Sequence, residues 1–306
     1  MQPYSGLPTQ QITNSWLTIG SFDGVHIGHQ KLIADMVQGA HEQGCLAGVL
    51  TFVPHPAEVL RGIPDGFYLS TPEEKNMLLA DLGVDFVISM PFTSEIAGWD
   101  AHRFLLAVTD AVKVKRLIVG EGFALGKGRA GTTQVLREAG SRFGYELQTV
   151  LPVTRDEEVC SSSLIRSILS LGDVEKASQF LGRPYSVVGK IIHGDGRGHQ
   201  IGFPTANVQL SPRRLLPANG VYVCRVALTG EMYGAVTNIG VRPTFVDTPT
   251  APVFEVHLLD YSGDLYGKDL TVSFVRRLRE EKKFFSVNQL IEQIHQDILT
   301  ARKVLA

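Results

Sequence analysis

The chain lacks the features that would mark a disulfide scaffold, a membrane protein or a polynucleotide binder. Its three cysteines, Cys45, Cys160 and Cys224, are odd in number, lie far apart and form no C-x-x-C pair, which excludes a disulfide framework and suits a reducing cytosol. Nowhere do eighteen apolar residues run together, so no membrane partner is expected. The first fifteen residues contain no Lys, no Arg and no apolar core, so no secretory signal is expected either. Twenty-nine basic against 31 acidic side chains leave a net charge of −2. That gives no basic excess with which to neutralise a nucleic-acid backbone, although a small anionic ligand needs only local charge. Repeats and low-complexity tracts are absent as well. What remains is a cytoplasmic chain of 306 residues, 44% of them hydrophobic, which is longer than one core usually organises and predicts two domains.

The two halves carry different periodicities. From residue 16 to about 181, apolar runs at 16–19, 46–52, 86–90, 116–119 and 147–151 alternate with helical stripes such as Leu32, Ile33, Met36 and Val37. This alternation predicts an open, Rossmann-like α/β sheet that is largely parallel. Thr71-Pro72-Glu73-Glu74 reads as a capped helix start. Beyond a boundary near residue 182, strand-length runs at 185–192, 221–228, 233–239, 253–259 and 270–275 are separated by Gly, Pro and Asp, which predicts an antiparallel β-barrel or sandwich. Ser286 then caps a final helix with Leu290, Ile291, Ile294 and Ile298 on one face.

The most informative stretch is Gly20-Ser21-Phe22-Asp23-Gly24-Val25-His26-Ile27-Gly28-His29, at the end of the first apolar run and the start of a helical pattern. Glycines permit close backbone approach, and a helix start offers N–H groups and the positive dipole end to an anion. The spacing fits neither a P-loop nor a dinucleotide fingerprint. A zinc site is disfavoured because no Cys or carboxylate cluster lies nearby. The residues therefore indicate a nucleotide-phosphate turn. Three further segments belong with it: His55 in Thr51-Phe52-Val53-Pro54-His55-Pro56; a glycine-rich loop with Gly126, Lys127 and Arg129; and Ser161-Ser162-Ser163-Leu164-Ile165-Arg166, where hydroxyls precede a guanidinium able to grip two phosphate oxygens. Taken alone, these read as a Pro-x-Pro turn, a solvated connection and a serine N-cap.

The opening motif resembles the G-x-F-D-x-x-H-x-G-H signature of nucleotidylyltransferases, in the form found in prokaryotic bifunctional riboflavin kinase/FAD synthetases. That resemblance implies a second module, and Gly202-Phe203-Pro204-Thr205-Ala206-Asn207 matches the riboflavin kinase hallmark G-F-P-T-A-N. The implied organisation is an FMN adenylyltransferase domain at 1–182 and a riboflavin kinase domain at 183–306. ATP would be the co-substrate of both, riboflavin and FMN the acceptors, and FAD the final product. In the first domain the resemblance implies His26 and His29 as catalytic groups, with Gly20, Phe22, Gly24, His55, Gly126, Arg129, Ser162 and Arg166 lining the nucleotide and flavin. In the second it implies Thr205 and Asn207 as ligands of Mg²⁺, Glu255 as general base, and Gly202, Pro204 and Arg279 around the substrates. Two alternatives are a kinase whose adenylyltransferase half is impaired and a flavin- or nucleotide-binding module without turnover. The first is suggested by Gly122 and Ala124, which stand where the family carries Asn or Asp and a polar residue. A further departure is His199, where Arg is usual.

Overall fold

The computed structural model describes residues 1–193, 201–241 and 252–306. They divide into two compact units, Met1–Pro64 with Leu69–Ser162, and Asp65–Tyr68 with Ser163–Ala306.

The first unit is built from β1 (Gln2–Ser5), β2 (Ile12–Ile19), α1 (Ile27–Glu42), β3 (Leu46–Val53), α2 (Pro56–Arg61), α3 (Pro72–Asp81), β4 (Phe86–Pro91), α4 (Ser94–Ala97), α5 (Ala101–Ala111), β5 (Val112–Gly120), the pair β6 (Ala124–Leu125) and β7 (Gly131–Thr132), α6 (Thr133–Phe143), β8 (Glu146–Val150), and the pair β9 (Thr154–Arg155) and β10 (Glu158–Val159). Six strands form one parallel sheet in the order β1-β4-β3-β2-β5-β8. Successive side chains of β2 enter opposite apolar layers, Trp16 joining Ile33 and Met36 while Leu17 and Ile19 join Phe104 and Leu117. From β2 the order runs outward both ways, so the turn after β2 lies at the switch point where open α/β sheets bind ligands. The expected strands are all present. The sequence reading missed β1 and the two short pairs, which are too brief for periodicity to register. Thr71 caps α3 in a full capping box with Glu74, as its spacing predicts.

The second unit begins with α7 (Ser162–Ser170), which straddles the division, and α8 (Val174–Leu181). It continues as β11 (Ser186–Ile192), β12 (Ala206–Gln209), β13 (Gly220–Leu228), β14 (Glu231–Val241), β15 (Pro252–Leu258), β16 (Asp269–Arg279) and α9 (Val287–Leu305). The six strands close into an antiparallel barrel in the order β11-β12-β15-β14-β13-β16, which decides between barrel and sandwich. Its interior is filled by Val187, Val208, Tyr222, Cys224, Phe254, Val256 and Phe274. β12 escaped the sequence reading because its four residues sit inside a turn-rich segment.

Ser286 caps α9, its hydroxyl accepting from Gln289 N–H at 3.3 Å. The predicted apolar stripe is only half-buried; the buried positions of this helix are Asp297 and Ala301. Asp297 accepts from Arg279 Nε at 3.1 and 3.0 Å, from its Nη2 at 2.8 Å and from Gln293 Nε2 at 2.9 Å. Breaking a buried pair on one side strands the other charge in a low dielectric. Asp297→Ala is therefore expected to destabilise the second unit by roughly 3–5 kcal/mol, read as a lower denaturant midpoint for the barrel transition of the full chain. An unchanged midpoint would show that the pair adds no net stability.

Candidate active site

The histidine turn is strained and buried. Phe22, Gly24 and Val25 all have positive φ, at 48°, 80° and 41°, which is costly for an aromatic and more so for a β-branched residue. Asp23 holds it there: its carboxylate accepts from Leu69 N–H at 3.1 Å, from Ser70 N–H at 3.0 Å and from Ser70 Oγ at 3.2 Å, while Gly24 N–H donates to Ser70 Oγ at 2.9 Å. Ser162 Oγ donates to the Asp23 carbonyl at 2.9 Å, so the start of α7 is tied to the same turn. Gly20 N–H pairs with Leu50 O, and a Cβ at Gly20 would press against the Phe22 ring at 3.0 Å.

His26 and His29 stack with ring centroids 3.6 Å apart and planes at 19°, and the Phe22 ring meets His29 edge-on at 5.0 Å. His26 is the N-cap of α1, its Nδ1 accepting from His29 N–H at 3.3 Å, which puts the His26 ring proton on Nε2. The backbone N–H groups of Gly28 and Ile27 face the sulfur of Cys160. This corrects the expectation that α1 offers unpaired N–H groups to an anion: three first-turn donors already have protein partners, and the turn presents imidazoles instead. Burial, then the charge of His26, then that of Lys75, hold the His29 pKa well below its usual 6.5. His29 Nδ1 is buried without a hydrogen-bond partner, a cost of about 1–3 kcal/mol that packing alone does not require.

The other predicted residues are placed as follows. His55 caps α2, its Nδ1 accepting from Ala57 N–H at 3.1 Å. The glycine-rich segment, expected to be a mobile or solvated connection, is ordered as the β6/β7 pair around a short 3₁₀ turn. Gly126, with φ of 76°, approaches so closely that a Cβ would lie 2.7 Å from Ala101 N, and Lys127 N–H donates to Trp99 O. Arg129 donates to Gly122 O at 3.1 Å. Arg166, four residues after Ser162 in α7, belongs to the second unit; there its Nε donates to Phe67 O at 2.8 Å and its guanidinium lies 3.9 Å from the Phe67 ring centroid.

On the barrel, β15 buries Phe254, Val256 and Leu258 and turns Glu255 and His257 outward, as the alternation predicts. Asn207 of β12 lies directly across from Glu255, and Asn238 of β14 lies across from it on the other side. Thr205 is exposed just before β12. Gly202 takes φ of 87°, and the turn after it is fixed by buried Phe203 and by His257, whose Nδ1–H donates to Pro204 O at 2.8 Å. Thr205 and Asn207 are hard oxygen donors, a set that fits a divalent cation bound mainly through nucleotide phosphates. Arg279 is engaged by Asp297 and by Glu280 O. His199 lies outside the described residues.

Residues 9–164 match the FAD synthetase family model and residues 181–305 the riboflavin kinase family model. Over 291 residues the chain is 37% identical to the bifunctional riboflavin kinase/FMN adenylyltransferase of Bacillus subtilis, covering 94% of this chain and 92% of that protein. It is 36% identical over 289 residues to the Escherichia coli protein of the same name, covering 94% and 91%. The chain belongs to the bifunctional riboflavin kinase/FMN adenylyltransferase family. A Streptococcus pneumoniae chain described as a macrolide-efflux protein shares its fold, with a TM-score of 0.89 over 98% of both chains at 30% identity.

Within this bifunctional family framework, the structure adds residues that the sequence reading missed. Lys75 of α3 is buried, and its Nζ donates to Ser21 O at 3.2 Å and Thr51 Oγ1 at 2.8 Å. Burial pulls its pKa down to about 8, with Asp23 opposing. Lys75 had no signal, because a Lys in a helix is an ordinary surface residue until the fold places it. Glu255 is flanked by His257, which the alternation already sets on its face, and by Asn238 across the strand. Because folded His29 resists protonation while the unfolded chain does not, the unfolded state binds more protons as pH falls below 6.5, and stability drops there. An NMR titration should find the His29 ring still neutral at a pH where exposed histidines are half protonated; a His29 that titrates with them would contradict this geometry.

Proposed function

We propose that the amino-terminal module, 1–182, transfers the adenylyl group of ATP to FMN at the His26–His29 turn. In the same proposal the carboxy-terminal module, 183–306, phosphorylates riboflavin beside Glu255. The observation that carries this reading is one chain holding two unlike centres, a stacked imidazole pair at a sheet switch point and an outward carboxylate on a barrel. In the first centre an FMN phosphate oxygen bonds to the α-phosphorus as the bond to the leaving pyrophosphate breaks. The His26 Nε2–H donates to phosphate oxygens in a dry site where such bonds are strong, with the neutral His29 ring stacked behind it. Ser162 fixes the turn, and Arg129 supplies charge. In the second centre Glu255 accepts the 5′-hydroxyl proton of riboflavin as that oxygen takes the γ-phosphoryl group from ATP. Thr205 and Asn207 would hold Mg²⁺, which neutralises phosphate charge when bound. His257 keeps the Pro204 carbonyl, and so Thr205, in place.

The buried cysteines, all free, suit a cytoplasmic setting. Among the described residues no helix is long and apolar enough to cross a membrane. An efflux role borrowed from the pneumococcal description therefore has no support here.

A kinase with impaired adenylyl transfer is the second reading, favoured by Gly122 and Ala124. A Cβ at Gly122 would meet nothing within 4 Å, so the backbone accepts the family's Asn. Incubation with riboflavin and Mg·ATP, followed by chromatography, should yield FMN and then FAD; FMN alone supports the second reading, and neither product contradicts both. Gly122→Asn should raise the FAD share several-fold if Gly122 limits the second step. Glu255→Gln should lower riboflavin phosphorylation by roughly 10²-fold or more while added FMN is still converted to FAD. His29→Ala should do the reverse, and equal loss of both activities in either variant would contradict separate centres.

A further inference from the structure

We propose that Lys75 is a positioning residue for adenylyl transfer: its ammonium group draws the Ser21 carbonyl and the Thr51 hydroxyl together beneath the histidine turn. This fixes the turn in the shape that receives the ATP phosphates and presents a buried positive charge behind it. The inference rests on adenylyl transfer taking place at the His26–His29 turn.

The geometry is specific. Lys75 is 7% exposed, yet among the described residues no carboxylate forms an ion pair with it. Its two acceptors stand at the carboxyl ends of neighbouring strands, Ser21 just after β2 and Thr51 in β3, and Thr51 Oγ1 also donates to Ser21 O at 3.1 Å. Burying the ammonium costs desolvation, and a methionine would fill the same space without that cost but could donate to neither Ser21 O nor Thr51 Oγ1. Groups held at such a cost are concentrated where chemistry needs them. The titratable groups around it are Asp23 from the turn, which favours its charge, and His29 from α1, whose protonation it disfavours, with His26 stacked on His29. On its own helix Glu74 is committed to the Thr71 cap. From β3 comes only Thr51, which does not titrate. One ammonium therefore shapes the turn and helps keep His29 neutral.

The test compares conversion of FMN to FAD across pH in the parent, Lys75→Met, Thr51→Val and His29→Ala proteins, full chain, with Mg·ATP. Lys75→Met is expected to lose on the order of 10²-fold in kcat/KM for ATP, more of it in kcat than in KM. The parent should lose activity as pH rises through about 8, where Lys75 gives up its proton, and this alkaline limb should be absent in Lys75→Met. Thr51→Val, which keeps the charge but removes one acceptor, should lose several-fold and shift the limb. Riboflavin phosphorylation in the same samples reports the amount of folded chain. The inference is overturned if Lys75→Met and Thr51→Val keep the parental kcat/KM and pH profile. Loss of adenylyl transfer in His29→Ala keeps the site reading intact under either result, whereas full activity in His29→Ala would sink the site reading itself and leave Lys75 nothing to position.

Discussion

The amino-terminal centre depends on a single buried carboxylate. Turn 22–25 places an aromatic, a glycine and a valine at positive φ, and each non-glycine of the three costs on the order of 1–3 kcal/mol. Locally, Val25 N–H donates to Phe22 O at 3.2 Å and Gln30 Nε2 to Val25 O at 2.8 Å, which stabilises that shape in part. Asp23 does so from a distance in sequence, by accepting from the backbone and side chain of residues 69 and 70, which precede the α3 cap. Helix α3 in turn brings Lys75 under the same turn. The imidazole stack is thus a consequence of where a distant capped helix begins, and the rigid elements on both sides hold the two rings 3.6 Å apart.

The barrel reaches the same end by another route. A closed six-stranded barrel of this size has no interior to spare, because aromatic and branched side chains fill it. Polar groups are consequently left on the outer face, and register decides which of them meet. Asn207, Glu255 and Asn238 come from three strands far apart in sequence and stand side by side because β12, β15 and β14 are neighbours. Arg279, directly across from Val221 on β13, is withdrawn from this row by Asp297 of α9. Its guanidinium secures the last helix, a role that its place in a charged run beside the barrel did not reveal.

Much of this was legible in the sequence, and the parts that were not share a cause. The alternation of short apolar runs with helical stripes specified the parallel sheet, and the Phe254, Val256 and Leu258 alternation specified which way Glu255 faces. Both are local patterns, fixed by the period of the element. The turn motif was legible because glycines, an aspartate and two histidines at set spacing have few uses at a strand end. Lys75, Asp297 and the bond from His257 to Pro204 were not, since each depends on a partner more than 15 residues away. The free helix start at α1 was misjudged for a related reason. Spacing shows that donors exist, whereas only the fold shows that Cys160, more than a hundred residues on, lies against two of them.

The unlike chemistry of the two centres follows from what each acceptor brings. An FMN phosphate is already an anion at neutral pH and needs no proton removed before it attacks phosphorus. A centre for it needs donors that lower the charge cost of crowding phosphates together, and a base would contribute nothing. A neutral His29 ring stacked on His26, with a buried ammonium behind them, would meet that need; a carboxylate facing the phosphates would oppose it. The riboflavin hydroxyl is neutral and a poor nucleophile until its proton can leave, so a centre for it needs a carboxylate within reach, and the proposed one stands on an outward sheet face. Asp23 makes the contrast sharper. It is the carboxylate within the histidine motif, and its oxygens accept from residues 69 and 70, so its negative charge is used to hold the turn.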